Sequence, residues 1–285
     1  MFGKRADGRR VYNVNPFDKM IPYLMKERND AQNFFNGDLP CEGMDRYIAA
    51  KKEEGIQLTY MQLILAACIR TIAERPLLNR FIMNSKIYAH NKIWISFSIK
   101  KTLREEGEET TIKMEFEGTE TLMEICTAIE SEIRKVIQGG TITETDDVAK
   151  LIMTAPDCLV RLAVNVLMFM DRHNCMPKKV LDASPFHTTM FFTNLKSLGL
   201  DYIYHHLSNF GTMGTFFAMG KEKLKMTCTG EGKFKTSKVV PFGFGMDERI
   251  CDGTYFARSV KMLTKYVKHP ELMETPLEKR VQDVR

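Results

Sequence analysis

Two short runs of strict alternation constrain this chain more than anything else in it. Ile93, Ile95, Phe97 and Ile99 alternate with Trp94, Ser96, Ser98 and Lys100; Ile112, Met114 and Phe116 alternate with Lys113, Glu115 and Glu117. A period of two puts the apolar set on one face of an extended chain, so the runs predict two half-buried strands joined by an exposed loop, 102–110. A sheet with one apolar face needs a covering layer, and the flanking sequence supplies helices. Residues 19–35 read as a helix with Met20, Ile21, Leu24, Phe34 and Phe35 on its apolar side and Pro22 in its first turn. Thr59 is placed to cap a helix over 60–74 that Pro76 ends. Leu122, Ile125, Ile129, Ile133 and Val136 recur at helical steps after Gly118 and before Gly139-Gly140, and further helical patterns cover 146–153 and 158–171.

From Pro185 onward the pattern turns to β. Short aromatic and β-branched runs at 187–194, 202–207, 212–219, 224–229 and 239–245 are punctuated by glycine, and a last amphipathic helix covers 254–268 before His269-Pro270. Helices early, strands late and a hairpin between them predict an α/β fold, a two-layer α+β sandwich with a mixed sheet. We divide the chain into a basic N-terminal arm, 1–14, and a single domain, 15–285.

Composition removes several function classes. Apolar residues at 44% exclude a disordered or collagen-like chain. The longest apolar run, 158–170, is interrupted by Arg161 and Asn165 and falls short of the roughly 20 residues a membrane span needs, so it predicts a buried helix. The opening MFGKRADGRR is basic with no apolar core after it, and reads as no secretory signal. A net charge of +5 is spread along the chain without a clustered basic face, which argues against nucleic acid. The 7 cysteines are odd in number and form no C-x-x-C pair, which fits reduced thiols in a cytoplasm.

Several motifs dissolve on inspection. Gly230-Glu231-Gly232-Lys233 lacks the first glycine and the hydroxyl residue of a phosphate loop, and reads as a hairpin turn. His205 and His206, adjacent on an expected strand, point to opposite faces and cannot share a metal; no metal site is read in the chain. His187 has a similar structural reading, and His90 and His173 look like loop residues. One stretch does carry chemistry: Asp247-Glu248-Arg249-Ile250-Cys251-Asp252-Gly253, between the last strand and the last helix. The three consecutive charged residues there, Asp247, Glu248 and Arg249, cost desolvation unless they pair or react. The plain alternative is an exposed helix start capped by Asp252.

That stretch resembles the D-H-R-x-x-D-G signature of the catalytic domain of 2-oxoacid dehydrogenase acyltransferases, in the superfamily of chloramphenicol acetyltransferase. Other segments follow in the family's order: Arg75-Pro76-Leu77-Leu78-Asn79, the helix from Leu122 to Lys135, Phe192-Thr193-Asn194-Leu195-Lys196-Ser197-Leu198-Gly199, Phe216-Phe217-Ala218-Met219-Gly220, and the closing His269-Pro270. The resemblance covers roughly 15–272. The chain is also similar to free-standing bacterial relatives that share TNL-x-S-x-G, YHH and DERICDG.

The resemblance implies a chloramphenicol acetyltransferase-like fold, a homotrimer that in some relatives builds a larger cage, and coenzyme A-dependent acyl transfer in channels between subunits. The acceptor would be a small molecule or a lipoyl group. Only about fifteen residues precede the expected fold, so that lipoyl group is expected on another protein. In the family a histidine takes the acceptor's proton and a hydroxyl supports the oxyanion. Here Glu248 stands where that histidine would be. The oxyanion donor is Ser197, with Lys196 or Thr193 as alternatives. Asp252 and Gly253 are retained, Arg28 is the expected partner of Asp252, and Arg249 completes the brace. Asn194, Thr193, His205 and His206 are candidates for substrate binding.

Replacing the histidine matters. A histidine near about 6.5 facing a thiol near about 8.5 moves a proton uphill by about 2 units, whereas an ordinary glutamate near about 4.3 faces about 4 units, roughly 5.7 kcal/mol. A dry channel recovers much of that difference by lifting a carboxylate. The two functional readings that follow are an acyltransferase working through Glu248, and a catalytically inactive trimeric scaffold or ligand-binding homologue. A channel plugged by Phe210, Phe216 or Tyr204 would mark the second.

Overall fold

The computed structural model describes residues 4–100, 109–138, 154–229 and 232–284. In chain order its elements are β1 (Gly8–Arg10), α1 (Pro16–Leu24), β2 (Gln32–Pro40), α2 (Glu42–Glu53), α3 (Tyr60–Glu74), β3 (Arg80–Met83), β4 (Lys86–His90), β5 (Ile93–Lys100), β6 (Glu109–Phe116), α4 (Leu122–Ile137), α5 (Asp157–Arg172), α6 (Lys178–Ala183), β7 (Met190–Asn194), β8 (Thr215–Met219), β9 (Lys223–Cys228), β10 (Phe234–Asp247) and α7 (Gly253–Lys268). The seven-stranded sheet runs β2-β10-β8-β7-β5-β6, with β9 paired to the first half of β10. β5, β7 and β8 are mutually parallel and the remaining pairs antiparallel, so the sheet is mixed, as expected. A second sheet of β1, β4 and β3 stands beside it.

The helical layer forms where the sequence is most periodic. Thr59 and Gln62 close a capping box at the start of α3, each side chain serving the other's backbone N–H, and nearly all of α3 is buried. Thr121 and Glu124 do the same for α4. α3, α4 and α7 lie over the sheet, whose covered face carries Phe97, Phe192, Phe217 and Phe242, each at most 2% exposed. Phe192, Phe217 and Phe242 form a stacked ladder across β7, β8 and β10, with centroids 5.3 and 5.1 Å apart. The layer is therefore built from aromatic rings on one side and small or branched helix residues such as Ala66, Ala67 and Ile64 on the other.

The sequence reading needs correction in four places. The helix expected over 19–35 stops at Leu24, and Phe34 and Phe35 lie on β2, 46% and 40% exposed. Met20 and Leu24 are exposed as well, so the apolar spacing there marked no core face. Residues 202–207 form no strand; they cross the uncovered face of the sheet as irregular chain. α5 occurs where expected, but Leu159, Leu162 and Phe169 are exposed and only Asp171 is buried. His90, read as a loop residue, ends β4 and is buried. The helix expected over 146–153 and the Gly139-Gly140 stop lie outside the described residues, as does most of the 102–110 loop. The segment given as an arm supplies β1, and its Arg5 is buried against Asp171 at 3.0 Å. The described residues contain no helix long and apolar enough to cross a membrane.

Candidate active site

β10 delivers the candidate residues. On this strand Phe242, Phe244 and Met246 enter the core beneath the helices. By alternation Gly243, Gly245 and Asp247 face the other side. The segment 201–207 lies on that other side, and glycine is what lets it approach. A Cβ on Gly220 would sit 1.3 Å from the Asp201 carbonyl oxygen, and one on Gly243 would sit 2.8 Å from the Tyr202 ring. Leu207 donates its N–H to Gln32 Oε1 at 2.9 Å, which ties the crossing segment to β2.

At the end of β10 the chain turns through Asp247, Glu248 and Arg249. Asp247 is fully buried and takes a forked pair of bonds from Arg249, Nε and Nη2 each at 2.8 Å, plus the Arg249 backbone N–H at 3.1 Å. Arg28 Nε stands 3.8 Å from the same carboxylate. Arg28 also donates to the Ser208 and Gly211 carbonyls, and Arg249 to those of Met25 and Lys26. One buried carboxylate thus holds together the 25–28 loop, the 208–211 loop and the turn that carries Glu248. The brace has Asp247 at its centre. Asp252, expected to pair with Arg28, is exposed and caps α7 by accepting the Tyr255 N–H at 2.8 Å, the plain reading given above. Gly253 opens α7 with open space around it, so no contact there demands glycine.

Glu248 is half-buried between these groups and the edge of the sheet. Its N–H donates to Ala31 at 2.8 Å, and its Oε2 accepts from Asn33 Nδ2 at 2.6 Å. Asn33 is opposite Met246 in the β2–β10 register, so its amide emerges on the helix-covered side, away from Asp247. Sequence reasoning missed both Asn33 and Asp247. Asn33 lay in a segment read as helix, and Asp247 was passed over for Asp252 although it belongs to the same motif.

His205 is half-buried and stacks on Phe216 with centroids 4.3 Å apart. Burial, offset in part by the Ile203 carbonyl, lowers its pKa below the ordinary histidine value. His206 is exposed. Phe216 is buried, Phe210 partly so, and Tyr204 is 43% exposed, paired with Phe34 at 5.0 Å.

The hydroxyl candidates lie elsewhere. Ser197 is exposed on the short turn Lys196–Leu198 that follows β7, next to half-buried Thr193 and Asn194. Asn194 is level with Met219, which is level with Phe242. Glu248 lies six residues beyond Phe242 in the direction away from Ser197, roughly 20 Å along the strand. Within one protomer the two cannot share a substrate. The Ser197 end borders a cleft of about 500 Å³ whose walls include Tyr60, Met61, Ile133, Arg134, Asn194 and Lys196. No group of three or more His, Cys, Asp or Glu side chains among the described residues is arranged to hold a metal ion.

Comparison with solved structures defines the class of fold. A probable dihydrolipoamide acetyltransferase from Listeria monocytogenes 4b F2365 superposes with a TM-score of 0.57 at 16% identity, covering 91% of this chain and 94% of that one. The dihydrolipoamide acetyltransferase of Azotobacter vinelandii, in which the catalytic roles of a serine, a histidine and an asparagine were investigated, gives 0.57 at 12% identity over 92% and 93%. A chloramphenicol acetyltransferase gives 0.55 at 14% identity over 92% and 100%. This chain has the chloramphenicol acetyltransferase-like fold. No protein-family model matches the sequence, and no curated protein does.

Proposed function

We propose that this protein is a coenzyme A-dependent acyltransferase that works as a cytoplasmic homotrimer, passing an acyl group between coenzyme A and a small-molecule or lipoyl acceptor. The observation that carries the reading is the setting of Glu248: a half-buried carboxylate, oriented by Asn33 and mounted on a turn fixed by Asp247, Arg249 and Arg28, at the position where the resembling family has its catalytic base. Structural neighbours named as a probable dihydrolipoamide acetyltransferase and a chloramphenicol acetyltransferase support the chemistry. One neighbour forms the cubic core of the pyruvate dehydrogenase multienzyme complex, which supports assembly.

The separation of Glu248 from Ser197 sets the geometry of the reading. The site draws Glu248 from one protomer and Ser197 from the next, as a head-to-tail trimer interface allows. The exposed apolar edge of β2, with Phe34 and Phe35, is the kind of surface such an interface covers. Coenzyme A, when bound, supplies the acyl thioester. The cleft beside Asn194 suits its apolar part, because Tyr60 and Met61 form an apolar wall, while Lys196 and Arg134 stand at the rim paired with Glu222 at 2.8 Å and Glu130 at 2.5 Å and would exchange those partners for phosphates.

In this arrangement Glu248 takes the proton from the acceptor thiol or hydroxyl, and Asn33 keeps its carboxylate aimed. The acceptor attacks the acyl carbon, the Ser197 hydroxyl donates a hydrogen bond toward the acyl oxygen as charge builds there, and as the carbon–sulfur bond breaks Glu248 passes its proton to the departing coenzyme A thiolate. Asp252 and Gly253 start α7 at the right place behind the turn. Thr193, Asn194, His205 and His206 lie at the two ends of the shared channel and contact substrate.

The test is acetyl-coenzyme A turnover with a small thiol acceptor. Glu248→Gln is expected to abolish it, and Glu248→His to raise it above wild type by shortening the uphill proton transfer. Wild type that neither hydrolyses nor transfers any acyl thioester would leave the inactive scaffold as the function.

A further inference from the structure

Behind the Asp247–Arg249 turn, the 25–28 loop, the β3–β4 hairpin and the end of α5 enclose a polar cavity of about 190 Å³. Lys26, Arg28, Arg172 and Arg249 line it, against one carboxylate, Glu27. Glu27 is engaged by Arg172 at 3.0 Å, and the Asp247 carboxylate behind the wall is shared between Arg249 and Arg28. Asp171, the next acid in the neighbourhood, is committed to Arg5 at 3.0 Å and to the Gly211 N–H at 3.1 Å. The wall therefore carries more positive than negative charge, in a partly enclosed place where uncompensated charge is costly.

Arg28 is only partly compensated, its Nε facing the Asp247 carboxylate at 3.8 Å, beyond hydrogen-bond reach. Its side chain is 3% exposed, both Nη atoms donate to carbonyls, and its Nε is buried without a hydrogen-bond partner. Burial, only partly offset by Asp247 and compounded by neighbouring Arg249, draws its pKa down to about 10. Exposed Lys26 and the Asn84-Ser85 turn of the β3–β4 hairpin complete the lining on the solvent side.

We propose that this cavity is a binding site for a free, small oxyanion of the phosphate or sulfate class, held by Lys26 and Arg28. Its volume lies below the roughly 300 Å³ at which sites for drug-sized ligands begin, so a nucleotide does not fit inside it. Because Arg28 and Arg249 are shared with the Asp247 carboxylate, a bound anion stiffens the turn that carries Glu248 from the side opposite Asn33. The site exists whether or not the protein is an enzyme.

Calorimetric titration of inorganic phosphate into the full chain, with sodium chloride at matched ionic strength as the control, tests it. One saturable site per chain is expected. Lys26→Glu, a change on the exposed rim that leaves the fold intact, is expected to weaken it by about tenfold or more, and Lys26→Arg to retain it. A cavity that holds only water gives no saturable heat, which overturns the proposal. So does an unchanged phosphate affinity in Lys26→Glu.

Discussion

Glu248 is held twice over, through its backbone by Ala31 and through its carboxylate by Asn33, and the residue on each side of it belongs to a buried ion pair. His90 is the counterpart in the body of the protein. Its Nδ1 lies 3.1 Å from the Asn79 carbonyl, which only accepts, so Nδ1 carries the proton and Nε2 accepts from the Thr212 hydroxyl at 2.9 Å. Burial drives its pKa down to about 3. A histidine depressed in the folded state stabilises the fold fully above its unfolded value near about 6.5, and that contribution is lost as pH falls toward the folded value. Denaturant melts between pH 6.5 and 4.5 are expected to show wild type losing up to about 1.4 kcal/mol per pH unit from this residue. In His90→Asn the slope flattens over the same window; an unchanged slope contradicts the assignment. Asn33 was not visible as a partner in the sequence, because it acts through a contact that the fold alone creates; Asp247, two residues from its main partner Arg249, was legible but passed over for Asp252. Glu248 and Arg249 were visible, since the motif places them together.

At the scale of elements, the clean alternation of β5 and β6, the Thr59 cap of α3 and the helical periodicity of α4 were legible because each is decided by residues adjacent in the chain. β2 and the 201–207 crossing were misread for a common physical reason. β2 is an edge strand with exposed aromatics, and the crossing is aromatic-rich chain that covers a sheet without joining it, so composition and pairing part company in both. The crossing depends instead on missing side chains beneath it. Gly220→Ala forces a carbon into the Asp201 carbonyl and is expected to cost about 3 kcal/mol. Gly253→Ala, with nothing within 4 Å, stays within about 0.5 kcal/mol. Chemical denaturation of the two variants side by side checks this; equal stabilities would mean that the segment does not lie where described.

For the molecule as a whole, a mixed α/β sheet under a helical layer was readable from the order of helices and strands, and the chloramphenicol acetyltransferase-like fold from motifs in sequence order. The distance between Glu248 and Ser197 was not, because strand register decides it and register is a property of pairing. That distance makes sharing between protomers the central claim. It is tested most directly by co-expressing Glu248→Gln and Ser197→Ala chains and assaying acyl transfer by the mixed assemblies. If each site combines Glu248 of one chain with Ser197 of its neighbour, random trimers recover about a quarter of wild-type turnover, since each site draws both intact residues with independent even odds. If activity stays at the level of the separate inactive variants while the wild type turns over, the site does not span two chains and the account is wrong.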